Sequence, residues 1–165
     1  MVWNTMFNFA LALLLSAAAP AHAQTSSVPS EADAVRAANA AYYAALSARD
    51  IKAMEQVWSQ SPTDVNVAPP IRPAAHVGWE TVKKNYETFW ATLDELSVSM
   101  DNPTVIVEGK VAWVYGTEQA RRRSKDGKAS AGPNFGTSIF VKRDGRWRMV
   151  FHQAALMPPP TQAAK

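Results

Sequence analysis

Residues 135–154, FGTSIFVKRDGRWRMVFHQA, contain two alternating stretches on either side of the dipeptide Asp144-Gly145. Both residues of that dipeptide tolerate the positive φ of a type I′ turn, so the stretch predicts a long antiparallel hairpin. In its second strand, strict alternation gives two faces: Trp147, Met149, Phe151 and Gln153 on one, and Arg148, Val150, His152 and Ala154 on the other. Val150 and Ala154 are poorly suited to a solvent-exposed face. We therefore expect both faces to be covered and His152 to face an interior space.

The first half of the chain is predicted to form three helices. Ser30 begins the sequence S-E-A-D, which is typical of a helix N-terminus, and apolar residues at helical spacing then predict a helix over residues 31–48. Asp50 predicts the cap of a second, shorter helix that ends by Pro62. Gly78 precedes a third helix with one apolar stripe.

The second half of the chain is predicted to form strands. Residues 64–68, DVNVA, indicate a short strand, and residues 69–75, PPIRPAA, indicate a loop because proline cannot donate to a strand ladder. Beyond Leu93 the sequence alternates, with an expected break at Asn102-Pro103. Helices followed by an antiparallel meander predict an α+β fold, in which three N-terminal helices cover one face of a curved antiparallel sheet.

The two ends of the chain are predicted to lie outside this domain. An apolar run over residues 7–15 and the small-x-small sequence Ala21-His22-Ala23 are typical of a secretory signal peptide, with Gln24 as the mature N-terminus. The alternative is an uncleaved anchor, since the first residues carry no Lys or Arg. We predict an exported protein, periplasmic or secreted, without membrane attachment after cleavage. Its parts are a signal peptide (1–23), a linker (24–30), one domain (31–156) and a disordered Pro-rich tail (157–165).

Composition excludes several classes of site. The chain has no cysteine, which excludes thiol catalysis and thiolate metal ligands. Its net charge is only +3, and the basic cluster over residues 121–128 surrounds a predicted turn without interleaved aromatic residues. A solvated hairpin is favoured there over a nucleic-acid site. His76, Asp64 and His152 lack the spacing of a metal site, so we predict neither a metal nor a cofactor.

The order of segments resembles the nuclear transport factor 2-like superfamily. A helix, a short helix, a strand, a Pro-rich loop, the helix GWETVKKNYETFW and long hairpins ending in KRDGRWRMVFHQ are similar to its SnoaL-like members. The ketosteroid isomerases and the association domain of the calcium/calmodulin-dependent kinases belong to the same superfamily. The resemblance covers residues 31–156, and it implies the cystatin-like cone, a deep and mostly apolar pocket, and pairing of two subunits through the outer sheet face.

The isomerases allow a comparison residue by residue. The stretch YYAALSARD is similar to their first helix, so Tyr42 falls on the tyrosine of the oxyanion hole and Tyr86 on the tyrosine behind it. Their aspartate base falls on Pro69, and their protonated aspartate falls near Thr137. Proline cannot abstract a proton and threonine is a far weaker acid. The isomerase mechanism is therefore not supported as such.

The same alignment implies which residues face the pocket. It places Tyr115, Thr117, Gln119, Thr137 and His152 inside and Glu118, Trp147 and Phe151 outside, an assignment that a strand bulge would shift. In the kinase association domain, which RDGRW also resembles, pocket arginines occupy the positions nearest Glu118 and Ser138. Because neither residue is an arginine, the sequence does not favour a pocket that captures a carboxylate with an arginine cluster.

Three functions follow as hypotheses. The first is a protein that binds a small apolar or aromatic molecule with a polar end and forms a homodimer through Trp147, Met149 and Phe151. The second is an isomerase or dehydratase, with His152 as general base and Tyr42 as electrophile. The third is a dimeric structural or assembly module. The predicted ligand-binding residues are Tyr42, Trp58, Tyr86, Tyr115, Thr117, Gln119, Thr137 and His152.

Overall fold

A computed structural model of the protein describes residues 29–68 and 74–157. In these residues three helices are formed: α1 (Glu31–Ala48), α2 (Ile51–Val57) and α3 (Trp79–Ala91). The predicted signal peptide, most of the linker, the site of Pro69 and the tail beyond Met157 lie outside the described residues. None of the described helices has the length and apolar character needed to cross a bilayer.

The helix boundaries follow from local capping chemistry. The Ser30 hydroxyl accepts a hydrogen bond from the backbone N–H of Asp33, and α1 ends at Arg49, which adopts the left-handed conformation. The Asp50 carboxylate caps α2 by accepting from two backbone N–H groups of its first turn. The predicted helix over residues 31–48 is confirmed, and so are the two shorter helices.

The described part of the chain also contains six strands, which form one curved, open sheet. Their bounds are β1 (Val65–Ala68), β2 (Ala74–Val77), β3 (Leu93–Glu108), β4 (Val111–Ser124), β5 (Ala129–Arg143) and β6 (Arg146–Leu156). The order across the sheet is β2-β1-β6-β5-β4-β3, so the last strand of the chain lies beside the first. The predicted α+β fold is confirmed, with one pair, β1 and β6, running parallel.

Two details of the strands differ from the prediction. Residues 74 and 75, assigned to the Pro-rich loop, begin strand β2, which pairs with β1. The expected break at Asn102-Pro103 is instead a shift of register between Asp101 and Thr104 within one continuous strand, β3. A bulge absorbs the proline, which cannot donate to the ladder, without ending the strand.

The hydrophobic core lies between α1, α2, α3 and the concave face of the sheet. Its largest fully buried side chains include Trp58, Tyr42, Phe140, Met54 and Met149. The turn between β5 and β6 has φ values of 49° at Asp144 and 74° at Gly145, as a type I′ turn requires. The predicted hairpin over residues 135–154 is therefore present, and it places β6 against α1 and β1.

Candidate functional site

A cavity of about 810 Å³ lies between the concave face of the sheet and the helices α1 and α3. Its volume is within the usual range for small-molecule sites. The wall is exposed to solvent where β5 begins and β6 ends, and buried where α1 crosses the sheet. The lining is mostly apolar and comprises Tyr42, Leu46, Asn66, Val67, Asn85, Tyr86, Phe89, Leu96, Val98, Glu118, Ala120, Arg122, residues 130–134, His152, Ala154, Leu156 and Met157.

Strand β6 presents His152 to this cavity because of a bulge. Phe140 pairs with Met149 and Ile139 pairs with Phe151, so Val150 is an extra residue without its own partner. Alternation therefore shifts by one position at Val150. Before the bulge Trp147 and Met149 face the core, and after it His152 and Ala154 face the same side.

The predicted outward orientation of Trp147 and Met149 is therefore wrong. Trp147 is only 7% exposed and Met149 is completely buried. The indole N–H of Trp147 donates to the Glu31 carboxylate at 2.8 Å, which joins β6 to the start of α1. Phe151, on the other side of the bulge, does face outward and is half-buried.

The predicted parity of strand β4 is also wrong. Glu118 and Ala120 line the cavity, so Tyr115, Thr117 and Gln119 lie on the convex face. Thr137 pairs with Tyr115 and lies on that convex face too, whereas Ser138 is fully buried on the concave face. The isomerase alignment thus misplaced four predicted ligand-binding residues. Glu118 and Ser138, which the comparison with the kinase association domain placed nearest its pocket arginines, both face the concave side of the sheet.

His152 is the centre of a buried polar group. The residue is 4% exposed, its Nδ1 lies 3.2 Å from the Ser138 hydroxyl, and its ring centroid lies 4.6 Å from that of Tyr42. Burial disfavours the charged imidazolium and lowers the pKa of His152 to about 3. At neutral pH the ring is therefore uncharged.

Glu118 is the acidic partner of this group. Its carboxylate accepts hydrogen bonds from the Tyr43 hydroxyl at 3.1 Å and from the Asn134 amide at 3.4 Å. Its Oε2 lies 3.7 Å from Nε2 of His152. Burial raises the pKa of Glu118, and the two hydrogen bonds offset part of that shift.

The sequence predictions missed Glu118, and two signals in the sequence point to it. Its neighbours on the same face of β4 are Gly116 and Ala120, and small residues leave room in front of a sheet. Gly136 on β5 leaves room for the Glu118 carboxylate, since a Cβ atom at Gly136 would lie 3.0 Å from Oε2 of Glu118. Small residues around a charged one on adjacent strands therefore indicate that larger side chains, here Met100 and Glu118, lie over them on the concave face.

Tyr42 and Tyr86 line the cavity beside His152, as predicted. Their hydroxyl oxygens lie 3.2 Å apart and share a hydrogen bond. Burial raises the pKa of both hydroxyl groups, and the nearby Glu118 charge adds to the shift, so both stay protonated. Trp58 does not line this cavity; its ring packs in the core, 6.2 Å from Trp79 and 6.4 Å from Tyr86.

Asn66 completes the polar group from strand β1. It pairs in register with His152 and is 3% exposed. Its Oδ1 atom is buried without a hydrogen-bond partner among residues 29–68 and 74–157. Within the same residues, no group of three His, Asp or Glu side chains is arranged to hold a metal ion.

The comparison with protein families agrees with this architecture. Residues 35–159 match the model of the SnoaL-like domain. The match spans most of the chain, and the protein therefore belongs to the SnoaL-like domain family. No curated protein matches the chain significantly.

Solved structures show the same fold in three relatives. A candidate dehydratase of the nuclear transport factor 2-like family from Streptomyces avermitilis is 19% identical, with a TM-score of 0.68 over 77% of this chain and 97% of that one. A ketosteroid isomerase-like protein from Erwinia carotovora atroseptica is 20% identical, with a TM-score of 0.66 over 78% and 98% of the two chains. A candidate calcium/calmodulin-dependent kinase association domain from Xanthomonas campestris is 22% identical, with a TM-score of 0.65 over 85% and 99%. These similarities confirm the fold resemblance.

Proposed function

We propose that this protein binds a small apolar or aromatic molecule whose polar end enters the cavity first. The observation that carries the proposal is the cavity of about 810 Å³, apolar over most of its wall and closed by the buried polar residues Glu118, His152 and Asn66. Ligand sites typically combine a large apolar surface with a few convergent polar groups. Tyr42 and Tyr86 supply further contact area beside that polar group.

Two tryptophan substitutions on neighbouring residues test this proposal. Ala120 lines the cavity, whereas Gln119 lies on the convex face of the same strand. Ala120→Trp fills part of the cavity. It should weaken binding of a neutral apolar dye, N-phenyl-1-naphthylamine, at least about tenfold, because the rings of the dye lose contact area with the cavity wall. Gln119→Trp adds the same bulk outside the cavity and should leave the affinity unchanged. Equal affinities in both variants, or no dye binding by the unsubstituted protein, would contradict the proposal.

The enzyme alternative has a specific difficulty at His152. A general base is most effective when its pKa lies near the working pH. Burial lowers the pKa of His152 to about 3, so its uncharged ring is a weak base at neutral pH. An isomerase or dehydratase that uses His152 as base and Tyr42 as electrophile stays a prediction, less well supported than ligand binding.

Assembly of two copies through the convex face is a second proposal. The face carries the cross-strand row of Trp113, Ile139 and Phe151, together with Phe135, which is 46% exposed and packs against Tyr115. An apolar sheet face of this kind is a common oligomer interface. Structural neighbours described as association domains support oligomeric assembly.

Export is a third proposal, and it depends on sequence alone. The apolar run over residues 7–15 and the sequence Ala21-His22-Ala23 support removal of residues 1–23 by a signal peptidase. The absence of cysteine means that the exported domain would be held together without disulfide bonds.

A further inference from the structure

The Glu118 carboxylate has hydrogen-bonding capacity that residues 29–68 and 74–157 do not use. An ionised carboxylate offers about four lone-pair directions. The Tyr43 hydroxyl and the Asn134 amide occupy two of them. Among the described residues, no Lys or Arg nitrogen lies within 4.0 Å of this carboxylate, and the nearest basic group is His152. A buried carboxylate in this state favours an additional donor.

The His152 ring lies beside the Glu118 carboxylate, and its hydrogen bond to Ser138 indicates which ring nitrogen carries the proton. The Ser138 hydroxyl is fully buried, and the bond to Nδ1 is its one side-chain hydrogen bond within the described part of the chain. The Ser138 hydroxyl has no other hydrogen-bond acceptor among the described residues, so the arrangement that satisfies its hydrogen is donation to Nδ1. In the neutral ring the proton is then on Nε2, the nitrogen nearer Glu118.

The distance between Nε2 of His152 and Oε2 of Glu118 is 3.7 Å. This distance is too long for a hydrogen bond, which requires about 2.7–3.2 Å. It does allow one oxygen atom to lie about 2.8 Å from both groups. Such an atom would accept from Nε2–H and donate to Oε2, and a hydroxyl group does both.

We infer that the polar end of the ligand is a hydroxyl group, a phenol or an alcohol, which bridges His152 and Glu118. This inference rests on the proposed binding function and adds the chemical class of the ligand. A carbonyl or a methyl ether can accept from Nε2–H but cannot donate to Glu118. A methyl group can do neither. The Oδ1 atom of Asn66, which has no hydrogen-bond partner in the described part of the chain, adds a further acceptor near the same end of the cavity.

Three probes with one apolar body test the inference at pH 7.5. They are 2-naphthol, 2-methoxynaphthalene and 2-methylnaphthalene, and their affinities are measured by displacement of N-phenyl-1-naphthylamine. A hydrogen bond to a charged group corresponds to roughly a tenfold or larger change in affinity. We expect 2-naphthol to bind at least about tenfold more tightly than either of the other two. Hydrophobic transfer alone gives the opposite order, because 2-naphthol is the most water-soluble of the three.

Two charge-removing variants then locate the effect. Glu118→Gln keeps the shape of the side chain but removes its charge, and it should reduce the preference for 2-naphthol over 2-methoxynaphthalene severalfold. Glu108→Gln removes an exposed charge from the end of β3 and should leave the preference unchanged. The ratio of two affinities is compared within each variant, so a partial loss of folded protein does not alter it.

The outcomes separate the inference from the function on which it rests. If the dye itself does not bind, both the binding function and the inference are overturned. If the dye binds and no probe displaces it, the binding function stands and the inference is wrong. If all three probes bind equally well, the binding function stands and the inference is wrong. The inference is also wrong if Glu118→Gln keeps the full preference of the unsubstituted protein. If this variant does not fold, the comparison of the three probes on the unsubstituted protein decides.

Discussion

Replacement of Gly136 by alanine tests whether the space in front of β5 is needed by the Glu118 carboxylate. A Cβ atom at Gly136 would lie 2.8 Å from Cε of Met100, 3.0 Å from Oε2 of Glu118 and 3.1 Å from the Tyr43 hydroxyl. The end of Met100 can move at little cost. The carboxylate and the hydroxyl are held by their mutual hydrogen bond, so the alanine displaces at least one of them.

The magnitude follows from two opposing effects. Overpacking of a well-packed site costs about 1–3 kcal/mol, and a weakened hydrogen bond to a buried carboxylate adds about 1–3 kcal/mol. Alanine also restricts the unfolded chain, which contributes about 0.4–1 kcal/mol in the opposite direction. We expect Gly136→Ala to lower the free energy of unfolding by about 1–5 kcal/mol.

Gly132 provides a matched control on the same strand. A Cβ atom at Gly132 meets nothing within 4 Å, and neither glycine has a positive φ. Gly132→Ala should therefore raise the free energy of unfolding by about 0.4–1 kcal/mol. Both values are measurable by urea denaturation followed by tryptophan fluorescence. If the two variants have equal stability, the argument that Gly136 makes room for the Glu118 carboxylate and the Tyr43 hydroxyl fails.

Three further predictions concern pH, assembly and export. The pKa of His152 is 6.5 in the unfolded chain and about 3 in the folded one, so its contribution to stability is complete above pH 6.5 and is lost as the pH falls towards 3, at up to about 1.4 kcal/mol per pH unit. The raised pKa of Glu118 changes stability with pH in the opposite direction, so the contribution of His152 is isolated with a variant. The unfolding free energy of His152→Gln should fall less steeply with decreasing pH than that of the half-buried control His76→Gln. Identical pH slopes in the two variants would exclude this role for His152. Phe151→Glu places a charge on the convex face and should give a monomer by light scattering, whereas Gln119→Glu on the same face should not; a dimeric Phe151→Glu protein would exclude this interface. The intact mass of secreted protein should correspond to an N-terminus at Gln24, and a full-length membrane-associated species would contradict the proposed cleavage.

The sequence predicted the helices and the β5–β6 turn well, because the boundaries of these elements are set by residues close together in the chain. The Ser30 and Asp50 caps and the Asp144-Gly145 turn depend on residues close together in the chain, and the structure contains all three. Strand orientation has no such local cause. One extra residue, Val150, changes which side chains of β6 face inward, and nothing in the alternating sequence distinguishes it from a paired residue.

The candidate site was predictable only in part for the same reason. Tyr42, Tyr86 and His152 were placed in the cavity by resemblance to known proteins, and they line it. Glu118 was assigned to the wrong face because the alignment of β4 was shifted by one residue. A one-residue shift moves every side chain of a strand to the opposite face, so Tyr115, Thr117 and Gln119 of β4 were misplaced together. Thr137 of β5 was misplaced with its cross-strand partner Tyr115.

The parallel pairing of β1 and β6 has a consequence for the order in which the protein folds. Asn66 and His152 are neighbours in space but come from the sheet's first and last strands in chain order, 86 positions apart in the sequence. Contacts between such distant segments form late, because a long loop must be closed before they contribute any stability. During synthesis, moreover, Asn66 emerges from the ribosome long before His152. We expect the helices and the β3–β4 hairpin to form first, and ligand-binding capacity to appear only when the last strand has joined the sheet.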